Sequence, residues 1–217
     1  MKPLSLKCKI KDKQRLDMSW LSSIDASNLA DIKNLSISYG SKIYKLSKLF
    51  DISGNNYNDI IIKNSNQRLD NIGNNLKDKK ITILGNAGFG LGKSMNSGEI
   101  ILKGNAGKNA CSGMKGGFVH ILGSADDGLC SLPTGMNEGL ADGFIYVQKN
   151  VGDNSIIRMR RGNIIIGGNI GRNSCLELIS GSVTILGKIG SNFCKNARRG
   201  TFFIKDKSVC KEYIEAN

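Results

Sequence analysis

The most regular feature of this chain is a pattern of apolar and polar positions that repeats between residues 81 and 204. Each unit opens with a short run of β-branched or other apolar residues, continues through small and polar residues, mostly glycine and asparagine, and ends in a more variable half. The apolar runs lie at 81–84, 100–102, 118–122, 144–147, 164–166, 183–186 and 201–204. Short runs rich in Ile and Val and bounded by Gly and Asn are typical of β-strands. We therefore predict one strand in each unit.

Glycines keep the same register as these strands. One series closes the units at spacings of 19, 26, 19, 19 and 19 residues, and it consists of Gly98, Gly117, Gly143, Gly162, Gly181 and Gly200. A second series lies in the corner turns that follow the strands, and it consists of Gly88, Gly107, Gly152, Gly171 and Gly190. We expect the corner glycines to adopt positive φ, which glycine does without steric cost.

The period of 19 residues also selects the architecture. A fixed short period indicates one structural unit stacked on itself. A strand, a crossover helix and their turns need about 30 residues, so this unit is too short for them. It suffices for one coil of a parallel β-solenoid, in which equivalent strands of successive coils pair. We predict an all-β fold, a right-handed parallel β-helix (solenoid) of about 19-residue coils with a small mixed N-terminal cap.

The rest of the chain is assigned around this solenoid. We predict a cap and docking segment over 1–55, the repeat solenoid over 56–205 and a C-terminal tail over 206–217. Solenoid ends need covering, which is the role expected of the cap. Within the cap the pattern favours a strand over 4–10, a short helix in 22–35 and a second strand over 42–52.

One step of the repeat is seven residues longer than the others. We place this insertion within 126–140 and expect it to bulge from a corner of the third coil as a loop. Such excursions commonly lie on a binding face.

The six cysteines do not form a CxxC pair, and His120 is the single histidine, so a zinc site has little support. Cys111, Cys175 and Cys194 each lie six residues before a closing glycine. We interpret them as a line of small core side chains, with metal binding or disulfide bonds as the alternative. An apolar residue three positions before most closing glycines is interpreted as core in the same way: Met95, Met114, Leu140, Met159 and Leu178.

The formal net charge of +13 suggests an anionic partner. Lysine is frequent throughout, as coding from an AT-rich genome would produce, but arginine is clustered. Residues 144–200 carry nine basic side chains against Asp153 and Glu177, and all six arginines after residue 80 lie there. The clustered basic side chains that we select as a candidate anion site are Arg158, Arg160, Arg161, Lys195, Arg198 and Arg199.

Two apparent catalytic signals are interpreted as structural. Residues 87–94 (AGFGLGKS) mimic a phosphate-binding loop, but such a loop must enter a helix, and here the next element is a strand. His120 lies in a strand run, as a satisfied or solvent-facing side chain. The acids near the insertion are interpreted as loop solvation, and they are Asp126, Asp127, Glu138 and Asp142. We predict no catalytic residue and no metal site in this chain.

No apolar run approaches the roughly 20 residues that cross a bilayer. The first residues, MKPLSLKCK, lack the apolar stretch of a signal peptide. We therefore predict a cytoplasmic protein without a membrane partner. The chain has few aromatic residues and no basic patches interleaved with stacking rings, which argues against nucleic acid.

The repeat resembles a known family. Gly-Asn-Ala-Gly, a variable stretch and Met-x-x-Gly before a strand form the GxGxG-type repeat of the C-type subunit of formylmethanofuran dehydrogenase, a relative of the C-terminal domain of the glutamate synthase large subunit. The chain looks most like the bacterial version, the C-type subunit of the formyltransferase/hydrolase complex. The supporting stretches are MKPL at 1–4, QRLD at 14–17, LFDISG at 49–54, RLDNIG at 68–73 and MRRG at 159–162.

The resemblance implies a place in one-carbon metabolism. It implies that the complex moves a formyl group from a tetrahydromethanopterin carrier to a methanofuran-type cofactor and releases formate during formaldehyde oxidation. It implies an amidohydrolase-type subunit, a dehydrogenase-B-like subunit and a formyltransferase subunit as partners, which hold the chemistry. This chain would be a non-catalytic scaffold with no covalently bound cofactor, and the polyglutamate tail of the cofactor gives the basic cluster a candidate ligand.

Two alternatives remain open from the residues alone. The chain could be an independent basic β-solenoid that binds a polyanion or acts as an interaction module. It could also be an amidotransferase-type domain that conducts an intermediate between active sites. A subunit of an assembly should expose a large apolar face and associate when its partners are absent, which distinguishes it from an independent solenoid.

Overall fold

A computed structural model describes residues 1–24 and 28–206 of the chain. Most of the predicted C-terminal tail, with Cys210, lies outside the described residues. The described part contains fourteen strands and two short α-helices.

The elements of the N-terminal segment are β1 (Pro3–Cys8), β2 (Leu16–Asp17), a 3-10 turn (Ser19–Ser23), α1 (Leu29–Asn34), β3 (Ser36–Tyr39), β4 (Lys42–Lys45), α2 (Leu46–Leu49) and β5 (Phe50–Ser53). The following elements are β6 (Asn56–Ser65), β7 (Leu69–Asp70), β8 (Lys80–Gly85), β9 (Glu99–Leu102), β10 (Phe118–Ile121), β11 (Phe144–Val147), β12 (Asn163–Ile166), β13 (Ser182–Ile185) and β14 (Thr201–Ile204).

Parallel pairing of strands one coil apart builds the molecule. Val119 of β10 lies opposite Ile100 of β9 and Ile145 of β11, and every neighbouring pair from β8 to β14 keeps this register. The strands form one ten-stranded sheet in the order β14-β13-β12-β11-β10-β9-β8-β6-β1-β5. The predicted fold class is confirmed, because the strands stack as a parallel β-solenoid of about 8 turns with a spacing of about 19 residues.

The N-terminal segment continues the same sheet. β1 pairs in parallel with β6 and antiparallel with β5, so β5 is the edge strand at this end. A hairpin of β3 and β4 lies beside it as a separate two-stranded sheet. The predicted boundaries at residues 55 and 205 stay a prediction.

Of two predictions inside this segment, one is corrected and one is confirmed. The strand predicted over 42–52 is a strand, a helical turn and a second strand, β4, α2 and β5. Leu46 and Leu49 are both buried, and their spacing of three places them on one face of a helical turn but on opposite faces of a strand. The short helix predicted within 22–35 is found as α1, where Asn28 caps the start by accepting hydrogen bonds from the backbone N–H groups of Ala30 and Asp31.

Alternate residues of each solenoid strand face the interior. In β9, Ile100 and Leu102 are fully buried, whereas Glu99 and Ile101 are half-buried on the outside. The five Met and Leu side chains predicted as core, Met95, Met114, Leu140, Met159 and Leu178, are all fully buried. The interior of the solenoid is therefore a continuous apolar stack, as the period-2 pattern of the strands predicts.

The glycines have two separate roles. The closing glycines have φ from +93° to +151°, which side-chain-bearing residues rarely adopt. Gly85, at the start of a corner turn, has φ +133°, but the corner glycines of the second series do not have positive φ, so that expectation was wrong for the second series. At Gly107 a Cβ atom would lie 2.7 Å from the carbonyl oxygen of Gly88 in the preceding coil. These corners need glycine because two backbones approach closely.

The insertion is shorter than the segment in which it was placed. Ser112 and Ser131 are 19 residues apart and their hydroxyl groups are 2.6 Å apart, so residues through Ser131 stay in the repeat. The Gly113 N–H group donates to the Gly139 C=O group, and Met114 forms an isolated parallel β-bridge with Leu140. The seven extra residues are therefore 132–138. Cys130 consequently belongs to the repeat rather than to the loop.

Candidate functional site

The basic cluster lies in the turns that lead into the strands at the C-terminal end of the solenoid. We call it the basic face, made of Arg158, Arg160, Arg161, Lys195, Arg198 and Arg199. The first three precede β12 and the last three precede β14, so they occupy two coils that are not adjacent. Adjacent parallel strands are about 4.8 Å apart, which separates the two arginine groups by about 10 Å.

The intervening coil is not basic at the equivalent positions. Glu177 lies 19 residues after Arg158, and its carboxylate is 3.9 Å from the Arg158 guanidinium. Ile179 lies between Arg160 and Arg198 in the same register. The basic face therefore consists of two separate groups of cations, with an acidic and an apolar side chain between them.

Two of the six cations already have a carboxylate partner. Arg160 donates to Glu138 of the insertion at 2.9 Å, and Arg158 faces Glu177. Over residues 1–24 and 28–206, no carboxylate lies within 4.0 Å of the other four, Arg161, Lys195, Arg198 and Arg199. These four are exposed, so they are the cations available to an external anion.

A shallow cleft of about 170 Å³ opens within this face. Arg158, Arg198 and Asn196 line it together with Glu177 and Ile179. Guanidinium groups bind carboxylates with paired N–H donors. Glu177 already supplies a carboxylate to the cleft beside Arg158, so Arg198 is the guanidinium of the cleft with no carboxylate within 4.0 Å in the described chain.

The cysteines form the line that was predicted, with one addition. Cys111, Cys130 and Cys175 are fully buried and Cys194 is half-buried, and all are free thiols. Burial raises the pKa of the Cys111 thiol to about 12, and it raises the pKa of the Cys130 and Cys175 thiols as well. Because the thiolate is the reactive form, these side chains are packing residues and not nucleophiles.

The acids near the insertion have structural partners. Asp127 is 3.1 Å from the Lys108 ammonium and accepts the backbone N–H of Asp153. Glu138 pairs with Arg160, and the Asp126 and Asp142 carboxylates accept the backbone N–H of the next residue. Within the described ranges, no group of three or more His, Cys, Asp or Glu side chains could hold a metal ion.

The segment that mimics a phosphate-binding loop does not enter a helix. After Ser94 the chain turns and enters β9. Gly92 is fully buried, and a Cβ atom there would lie 3.3 Å from the Ile100 side chain. The segment is a corner of the solenoid.

A second surface, which the sequence reasoning did not select, is the outside of the sheet. One outward residue of each solenoid strand, the sixth of β6 and the third of β8 to β14, pairs with its neighbours in one row: Ile61, Thr82, Ile101, His120, Tyr146, Ile165, Thr184 and Phe203. We call this row, with the flanking Leu84, Phe118, Phe144 and Leu186, the outer apolar face. None of its side chains is acidic or a lysine or arginine.

Aromatic rings occupy the middle of this face. The Phe118 and Phe144 ring centroids are 6.0 Å apart, and those of His120 and Tyr146 are 4.8 Å apart. They line a groove of about 1180 Å³, whose lining also includes the charged residues Asp78, Lys79, Lys80 and Glu99. His120 Nε2 is buried with no hydrogen-bond partner in the described chain, so the expectation that this histidine is satisfied or solvent-facing was wrong at that atom.

A sequence signal for this face existed. Outward positions of a solvated strand are usually polar, which gives alternation. Here Ile101, Tyr146 and Ile165 interrupt that alternation and leave their strands apolar on both faces.

Over the described residues, no helix is long and apolar enough to cross a membrane.

No family model matches the chain, and no curated protein sequence matches it significantly. A solved structure does: the crystal structure of the formyltransferase/hydrolase complex from Methylorubrum extorquens in complex with methylofuran contains a chain with a TM-score of 0.82 and 27% sequence identity. The match covers 92% of this chain and 76% of that one. The resemblance drawn from the sequence is thereby confirmed: this chain is a structural relative of a subunit of the formyltransferase/hydrolase complex.

Proposed function

We propose that this chain is a non-catalytic scaffold subunit of a formyltransferase/hydrolase complex. The complex would pass a formyl group from a tetrahydromethanopterin carrier through a methanofuran-type cofactor to formate. The observation that carries the proposal is the structural match over 92% of the chain to a subunit of such a complex. The amidohydrolase-type, dehydrogenase-B-like and formyltransferase subunits would be its cytoplasmic partners.

The scaffold role is supported by what the side chains can do. The conspicuous cysteines are buried thiols with raised pKa values, and the acids near the insertion are bonded within the chain. The solenoid interior is filled by aliphatic side chains and Met, which leaves the turns and the outside of the sheet for recognition. A rigid stack of coils presents such surfaces at fixed spacing.

We further propose that the basic face binds the polyglutamate tail of the cofactor. Four exposed cations without a carboxylate partner in the described chain provide the charge. Their grouping on two coils about 10 Å apart suits an extended anionic chain with several carboxylates better than a single small anion. The related complex from Methylorubrum extorquens was crystallised with methylofuran, which makes such a ligand chemically reasonable.

Purification from native cells tests the scaffold role. With a tag on this chain, mass spectrometry should recover an amidohydrolase-type subunit and a formyltransferase together with a polyglutamylated cofactor. A lone chain would contradict the proposed complex. A chain that carries nucleic acid instead would favour the independent polyanion-binding solenoid.

Charge reversal tests the basic face. We choose Arg198→Glu with Arg199→Glu, because Arg160 already pairs with Glu138 and is a less direct probe. Charged hydrogen bonds contribute about 1.5–3 kcal/mol each, so cofactor recovered per complex should fall at least about ten-fold. Lys42→Glu with Lys77→Glu is the matched control, since it makes the same charge change at exposed sites elsewhere. Equal cofactor content in both double variants would refute the site.

A further inference from the structure

The outer apolar face concentrates the exposed apolar surface of the molecule. Among the described residues, eight large apolar side chains are exposed, and four of them lie here: Leu84, Phe118, Leu186 and Phe203. Phe118 is 61% exposed and Phe203 is 59% exposed. Isolated exposed apolar residues are ordinary on soluble proteins, but a contiguous patch marks an interaction surface.

The dimensions of this face match a protein and not a small ligand. Eight strands at about 4.8 Å spacing extend it over about 34 Å along the solenoid. The groove at its centre is open, whereas sites for small molecules are concave and bury most of the ligand. A standard protein interface buries about 800 Å² on each partner and is depleted of charge at its core. The paired row of outward side chains is uncharged in the same way, and the Lys80–Glu99 ion pair lies at its margin.

We infer that the outer apolar face docks a different subunit of the complex, through a flat apolar surface with acidic side chains opposite the margin where the strands end. This inference rests on the proposed function. Along the margin where the strands end, Lys103 and Lys205 are exposed and have no carboxylate within 4.0 Å in the described chain, so this margin is basic. The margin where the strands begin has both charges, since Lys80 pairs with Glu99 beside Phe118.

Charge argues for a different subunit rather than a second copy. Each copy has a formal net charge of +13. Face-to-face pairing of two copies would bring two such charges together, and like-charge repulsion opposes compact association. A partner with an acidic border would remove this repulsion and speed the encounter.

The central aromatic pair provides the test. Phe118→Asp places a carboxylate beside Phe144 and Glu99, midway along the solenoid, where the exposed position leaves the interior packing intact. Ile43→Asp, at a 74% exposed position of the β3–β4 hairpin, is the matched control for adding one acid in place of an apolar side chain. Each variant is expressed with a tag in native cells, and co-purified subunits are quantified against the wild-type chain.

We expect Phe118→Asp to lower the recovery of at least one formyltransferase/hydrolase subunit ten-fold or more, whereas Ile43→Asp and Phe118→Leu retain it. A double variant, Phe118→Ser with Tyr146→Ser, should give the same loss without an added charge. Unchanged recovery of subunits with both Phe118→Asp and the double variant, each with a wild-type circular dichroism spectrum, overturns the inference.

Two other outcomes are separated by the design. If the wild-type chain recovers no subunit, the proposed function fails, and the docking inference fails with it for that reason. If the isolated wild-type chain is a dimer by light scattering and Phe118→Asp makes it a monomer, the face belongs to a second copy and the inference is overturned. If Phe118→Asp lowers the recovery of subunits and Arg198→Glu with Arg199→Glu does not, the defect lies in docking alone.

Discussion

At the scale of single residues, the spacing between coils sets what each corner can hold. Gly107 and Gly190 have backbone atoms of the preceding coil within 2.6–2.8 Å of where a Cβ atom would be. A side chain there can be accommodated only by moving two coils apart, because the obstructing atoms are main chain. The residue requirement at these corners is therefore set by the stack and not by the local turn.

Replacing Gly107 by Ala should be destabilising for this reason. Overpacking of a tight site costs about 1–3 kcal/mol, so the free energy of unfolding should fall by that amount. Gly135→Ala is the control, since Gly135 lies in the insertion with no atom within 4 Å of the added Cβ and carries only the strain of its positive φ. Chemical denaturation of both variants measures the difference, and a smaller loss for Gly107→Ala than for Gly135→Ala would contradict this account.

Other residue-level features had no signal in the pattern. Cys111, Cys130, Ile156, Cys175 and Cys194 occupy one register and all have φ between +52° and +59°. Non-glycine residues, and β-branched Ile above all, rarely adopt this region. The register of the cysteines was visible in the sequence, but their left-handed backbone was not, because it results from the way neighbouring coils hold the corner.

At the scale of elements, the insertion shows how the repeat tolerates change. Its seven residues leave the coil after Ser131 and re-enter it at Gly139, and the pairing of Gly113 and Met114 with the next coil is kept across the gap. Glu138 of the loop pairs with Arg160, and Pro133 and Met136 lie against Gly113. The coil itself does not depend on the loop for its register.

Deletion of 132–138 should therefore leave a folded solenoid of uniform period. The lost Arg160–Glu138 pair is exposed, and such pairs contribute about 0–1 kcal/mol, so the Tm should fall by no more than about 2–4 °C. Deletion of seven residues from within a coil, 103–109, is the control and should abolish cooperative unfolding because it shifts the register of every later strand. Thermal melts followed by circular dichroism distinguish the two, and unfolding of the 132–138 deletion would show that the loop is needed for the fold.

The cap shows the limit of pattern reading at this scale. Residues 42–52 alternate well enough to suggest one strand, yet α2 interrupts them. Burial of Leu46 and Leu49 on one side is decided by the tertiary packing of the cap, and four residues are too few for a helical period to be recognised.

At the scale of the whole molecule, the two ends of the solenoid differ. At the N-terminal end β6 is paired on both sides, by β1 and β8. At the other end of the described chain β14 pairs only with β13, and Phe202 and Ile204 are half-buried whereas Val183 and Ile185 one coil earlier are fully buried. Repeat proteins gain stability from nearest-neighbour interfaces, so the coil with one such interface should open most easily.

Hydrogen exchange tests this asymmetry. Amides of residues 201–205 donate to the preceding coil, as those of 118–122 do, so their exchange reports opening rather than absent hydrogen bonds. We expect faster exchange in 201–205 than in 118–122. Equal protection in the isolated chain would contradict the prediction of a weaker terminal coil.

The period, the strand positions, the parallel stacking and the family resemblance follow from the amino-acid pattern alone, because a repeat of 19 residues restricts the fold to one coil per unit. Which surfaces are available depends on how the coils pack together. When the coils pack, Arg158 lies beside Glu177 and Arg160 beside Glu138. The other four cations of the basic face have no carboxylate partner in the described chain. It also aligned outward side chains from eight strands into the outer apolar face, since positions 19 or more residues apart in sequence become neighbours about 4.8 Å apart only when the coils stack.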